Sequence, residues 1–75
     1  MNFIEKKTYW KVTIYGLKKL RCFKVDTDAG LITFWDCEKH HTHTRYIEDK
    51  ELNFFGKTKQ EALNNTIEYI KEICK

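Results

Sequence analysis

The sequence predicts an α+β fold: a small antiparallel β-sheet of three to four strands with one C-terminal amphipathic helix packed on one face. Three observations lead there. Residues 8–15 alternate with period two, the spacing of a half-buried strand. Turn signals at Gly16 and at Asp26–Gly30 divide further β-rich runs. From Thr58 onward the apolar spacing changes to threes and fours, the period of a helix.

The first strand is read over residues 8–15, with Trp10, Val12 and Ile14 on one face and Tyr9, Lys11, Thr13 and Tyr15 on the other. Gly16-Leu17-Lys18-Lys19 supplies a turn, and Leu20–Val25 the second strand. After the Asp26-Thr27-Asp28-Ala29-Gly30 turn, Leu31–Cys37 reads as the third strand. Glu38–His41 is a turn, Thr42–Ile47 a returning fourth strand, and Leu52–Phe55 a short extended piece.

Thr58-Lys59-Gln60-Glu61 matches a capping box, in which Thr58 accepts from the third helical N–H and Glu61 reaches back to the cap. Leu63, Ile67, Ile70 and Cys74 fall on one side of that helix, widened by Ala62, Thr66 and Ile73. This stripe is expected to be the contact with the sheet, so that Leu63→Asp would unfold the domain. The opposite sheet face, with Lys11, Thr13 and Tyr15, is expected to stay open for a partner.

Seventy-five residues make a single domain, 1–75. A chain of this length buries only about 60% of its unfolded surface. Its aromatic content, 15%, gives it large side chains with which to fill a small core. The opening residues contain no apolar signal segment and no run is long enough to span a membrane. Cys22, Cys37 and Cys74 form an odd, irregularly spaced set, the usage of a reducing compartment, so a cytoplasmic location is expected.

Charge is unevenly spread. Residues 1–25 hold seven basic side chains against one acid, Glu5, whereas the remainder holds seven against ten. Lys11, Lys18, Lys19, Arg21 and Lys24 are therefore the candidate phosphate contacts, with Tyr15 as the stacking ring, because cations interleaved with aromatics suit nucleic acid. A second constellation, Cys37, His40, His41 and His43, offers zinc-type donors, and residues 41 and 43 share a side on an extended chain. No second ligand pair completes a structural site, and no resident cofactor is expected. Cys37 beside histidines has the parts of a thiol nucleophile, but no phosphate loop, nucleophile elbow or paired carboxylates accompany it, so the chain reads as non-enzymatic.

The stretch Phe55-Gly56-Lys57-Thr58-Lys59-Gln60-Glu61-Ala62-Leu63 resembles the strand-to-helix junction of the arm-binding domains of tyrosine integrases. It is also similar to the last helix of double-stranded-RNA-binding domains. The likeness rests on capping chemistry, assigns no residue a role, and implies nucleic acid as a partner. Two readings of the function follow. The first is a nucleic-acid-binding module that uses the basic first hairpin and the helix-free sheet face. The second is a protein-binding inhibitor or adaptor of the phage or mobile-element kind, such as an anti-defence protein. It would be anchored by Trp35, and pairing of strand edges into a homodimer would suit it.

Overall fold

Why these residues form a sheet is clearest at the turns. In the computed structural model, which describes residues 2–74, Thr8–Thr13 (β1) and Gly16–Asp26 (β2) form a hairpin whose two-residue turn is Ile14-Tyr15. Gly16 closes that turn at φ 114°, a conformation that disfavours a side chain. The Thr13 hydroxyl accepts from the Tyr15 N–H at 3.1 Å and donates to the Gly16 carbonyl at 2.8 Å. Strand β2 thus begins where the sequence suggested a turn. At the next reversal Asp26 accepts from the Ala29 N–H, and Gly30 takes φ 69°.

Leu31–Asp36 (β3) and Thr42–Tyr46 (β4) follow, then a 3-10 turn at Lys50–Phe54 in place of the expected extended piece. The two-residue strand Phe55–Gly56 (β5) leads into the helix Lys59–Ile73 (α1). The antiparallel sheet therefore has five strands, in the order β4-β3-β2-β1-β5. The additional strand, β5, pairs with β1 through Trp10 opposite Gly56 and Lys11 opposite Phe55. A bulge between Cys22 and Lys24 leaves Phe23 as the extra residue of β2.

The register sorts the sheet into two faces. Tyr9 lies opposite Leu20, Cys22 opposite Phe34, and Val25 opposite Ile32, so these side chains share a face with Phe55. With Val25 only partly buried at its edge, they form the buried core, and β3 shows the alternation plainly: Ile32, Phe34 and Asp36 are buried while Leu31, Thr33 and Trp35 are half-exposed. This reverses the sequence reading of β1. Tyr9, Lys11 and Thr13 sit on the covered face, and Trp10 and Val12 on the open one.

The helix does not cover the core. Phe3 does, with its ring edge-on to Tyr9, Phe34 and Phe55 at 4.8, 5.2 and 5.3 Å between centroids. Leu52 of the 3-10 turn packs beside it. The N-terminal strap is held by the Ile4 N–H donating to the Tyr9 hydroxyl at 2.8 Å. Two backbone bonds to β2 secure it further, Lys6 N–H to the Cys22 carbonyl and Cys22 N–H to the Lys7 carbonyl.

Helix α1 runs along the sheet margin, packed mainly on β5, the 3-10 turn and β1. Thr58 caps it as expected, its hydroxyl accepting from the Glu61 N–H at 3.1 Å. Glu61 reaches back one residue further than a capping box requires, accepting from the Lys57 N–H. The buried helix residues are Ala62 and Thr66, small enough to bring the helix against Gly56. Asn65 fastens it by donating to the Phe55 carbonyl at 2.9 Å, and Tyr69 meets Phe54 edge-on. The expected core stripe is therefore turned outward: Leu63, Ile67 and Ile70 are 38%, 50% and 46% exposed. Close approach of two backbones has taken precedence over burial of the larger side chains. The molecule is a slab of 33 × 28 × 17 Å. The helix overlies the β5 end of the Trp10 face, while Lys19, Arg21 and Lys24 of β2 and Thr42, Thr44 and Tyr46 of β4 are exposed on the rest of it.

Candidate functional site

The open face is built by alternation on three long strands and the register between them. Trp10 stands opposite Lys19, Arg21 opposite Trp35, and Lys24 opposite Thr33. Each tryptophan thus has a cation as its cross-strand neighbour. Thr42, Thr44 and Tyr46 of β4 extend the face, and the hydroxyls of Thr33 and Thr44 lie 3.2 Å apart. Among the described residues of β1–β5, Asp26 is the single acid on this face, and its carboxylate is already bonded to the Ala29 N–H.

At the margin, the Lys59 ammonium lies 4.7 Å from the centre of the Trp10 ring, a cation–π distance. Leu63 follows Lys59 by one helical turn, so the outward stripe begins beside Trp10. Near Trp35, a shallow hollow of about 430 Å³ is lined by Lys6, Arg21, Cys22, Phe23 and Trp35. Tyr15 stands apart at the hairpin tip and is 94% exposed.

Lys11 and Lys18, expected beside Lys19, Arg21 and Lys24, lie on the other face. Lys11 pairs with Glu51 at 2.9 Å, and Arg45 holds the second Glu51 oxygen at 2.7 Å. These two cations hold the Glu51 carboxyl below the ordinary carboxylate range, against the opposing effect of burial. Lys18 pairs with Asp36, its ammonium 2.6 Å from Oδ2.

Asp36 is fully buried at the end of β3. Its Oδ1 accepts from the Glu38 and Lys39 N–H groups at 2.9 and 3.0 Å, shaping the β3–β4 turn. Burial pushes its carboxyl up, but Lys18 and those two N–H groups outweigh it and hold the group far below the usual range. His43 Nε2 lies 3.5 Å from Oδ2. Burial lowers the His43 pKa, with His41, Lys18 and Arg45 adding to the effect and Asp36 opposing it.

The histidines separate from Cys37. His41 and His43 come together, ring centroids 4.5 Å apart, and one donor atom from each joins Asp36 in a set mutually within 4.8 Å. His40 turns away at φ 55° and meets Trp35 edge-on at 5.9 Å. The Cys37 thiol is directed at the Trp35 carbonyl. Cys22 is buried in the core, and burial raises its thiol pKa, with Glu5 contributing further. The sequence expectation missed Trp10, which it assigned to the core, and missed Lys59 and Asp36. For Asp36 there was a signal: it continues the Ile32, Phe34 alternation on the covered side and opens a turn that its side chain can cap.

No family model matches the chain, and no curated protein or solved structure matches it either. No helix among the described residues is long and apolar enough to cross a membrane.

Proposed function

We propose that this chain is a non-enzymatic binding module that takes single-stranded nucleic acid on the open sheet face. The observation that carries the reading is the cross-strand pairing of each tryptophan with a cation, Trp10 with Lys19 and Trp35 with Arg21. Rings of this kind stack on bases and the adjoining cations neutralise phosphates, without need of a sequence-specific edge contact. Lys24 and Lys59 extend the basic surface, and Tyr15 at the hairpin tip offers a further ring. Lys11 and Lys18 serve the fold instead, since both are committed to carboxylates.

The test is titration of labelled 12-nucleotide single strands of DNA and RNA, and of a duplex, at several salt concentrations. Contacts from three or four cations give a slope of log affinity against log salt of about −2 to −3. Trp35→Ala should weaken binding by about 1–3 kcal/mol. Absence of binding at low salt, or affinity unchanged in both Trp35→Ala and Arg21→Ala, would overturn the reading.

A second reading, a protein partner, is favoured by one observation: Leu63, Ile67 and Ile70 form an exposed apolar stripe along α1 that starts one turn beyond Lys59, the residue over Trp10. Such a partner would present apolar side chains to the helix and acidic ones to Lys19 and Lys59. Sedimentation of the chain alone, over a range of concentrations, tests whether that partner is a second copy.

A further inference from the structure

We infer that Asp36, His41 and His43 form a binding site for a divalent transition metal of the zinc class, at the end of the covered sheet face. One donor atom from each lies within 4.8 Å of the other two. Two imidazoles and one carboxylate oxygen are the donor set of open zinc sites, which leave a fourth position to water. The site uses only two of the four residues that the sequence pattern suggested. Its third donor comes from β3.

The buried carboxylate supplies an independent reason. Asp36 Oδ1 is fixed by two backbone N–H groups, which leaves Oδ2 aimed at His43. Oδ2 is fully buried, and its partner there is the Lys18 ammonium instead of a backbone donor. Its close neighbours are the Lys18 ammonium at 2.6 Å and the His43 imidazole, with Nε2 at 3.5 Å. A ligand oxygen oriented by bonds to its twin is the outer-sphere arrangement that metal carboxylates use.

Metal bonds of about 2.0–2.2 Å require donors somewhat closer than 4.8 Å. The histidines can supply that movement, because His41 is exposed and the His43 side chain is 30% accessible. Lys18 stands where the cation would go, as the resident counter-charge to Asp36. Its side chain is 23% accessible, so the ammonium can swing into water as the metal enters. Lys18 is thus a competitor, and this separates a built site from loose chelation by surface histidines.

The experiment is titration of the full chain with Co²⁺, followed by displacement with Zn²⁺. One equivalent should bind, with the intense visible bands of tetrahedral cobalt. His41→Ala and His43→Ala should each weaken binding at least about tenfold. His40→Asn, which retains a residue tolerant of the left-handed backbone, should leave it unchanged. Lys18→Met should tighten binding and enlarge the rise in melting temperature on adding Zn²⁺. Absence of the tetrahedral bands overturns the inference. So does a His40→Asn loss as large as that of the exposed His41→Ala, or Lys18→Met binding no tighter than the parent.

Discussion

Gly56 and Ala62 meet backbone against backbone. A Cβ on Gly56 would overlap the Ala62 nitrogen and lie 2.6 Å from the Glu61 carbonyl carbon. Neither atom belongs to a flexible side chain, so the helix itself would have to move. Gly56→Ala should cost about 1–3 kcal/mol in urea unfolding, as overpacked sites do. A parent-like urea midpoint would contradict the contact.

The same contact decides what the helix tolerates. Leu63→Asp, which the sequence pattern marks as lethal to folding, should change stability by no more than about 1 kcal/mol, because Leu63 is 38% exposed. Ala62→Leu places a larger side chain in a fully buried position and should cost about 1–3 kcal/mol. Parallel melts of the two variants settle which side of α1 faces the fold.

Phe3 lies outside every strand and yet closes the core. Phe3→Ala should destabilise by about 2–3 kcal/mol, at or below the low end for buried phenylalanines because the residue is only partly buried. Loss of near-ultraviolet circular dichroism from the aromatic cluster should accompany it. If stability and spectrum both survive, the strap is not a structural element.

Acid should lower the stability of the fold over two separate pH ranges. His43 has a folded-state pKa below its ordinary value, so the unfolded chain binds protons first and stability declines as the pH falls below about 6.5. Asp36 and Glu51 are depressed carboxylates. Their stabilisation is whole above about pH 4 and is lost as the pH falls through their folded values. His43→Gln should remove the upper decline. Asp36→Asn should flatten the lower one and cost about 1.5–3 kcal/mol at neutral pH, since the Glu38 and Lys39 N–H groups and Lys18 lose a charged acceptor.

The helix and the first four strands were legible in the sequence because they rest on local signals, whereas β5, the early start of β2 and the 3-10 turn were not. Gly16, Gly30 and the Thr58 cap each fix a boundary through bonds made within a few residues. The faces were not legible. Strand β1 has large apolar or aromatic residues on both sides, Tyr9 on one and Trp10 and Val12 on the other. Period two cannot rank them when the core is completed by Phe3 and Phe55 from distant parts of the chain. Likewise, hydrophobic periodicity measures side-chain size and so favoured Leu63 and Ile67. The helix is docked by its smallest residues, Ala62 and Thr66, against a glycine. For the candidate face, nearness in the chain grouped Lys19, Arg21 and Lys24 with Lys11 and Lys18; the register and the bulge in β2 put the first three on one face and the last two on the other. The sequence reading missed Trp10 and Lys59, because their neighbourhood depends on the β1–β5 pairing.

The aromatic contact between Phe3 and Phe55 joins positions 52 residues apart in the chain. The hairpins β1–β2, β2–β3 and β3–β4 close short loops and can form early and locally. The strap and β5 must instead wait for a long-range search, the kind of contact that sets folding rates in small β-rich proteins. Until they arrive, the Tyr9–Leu20–Phe34 surface has no cover. The vulnerable moment in the life of this protein is therefore the interval before the strap and β5 dock, when a bare aromatic sheet can meet another copy first.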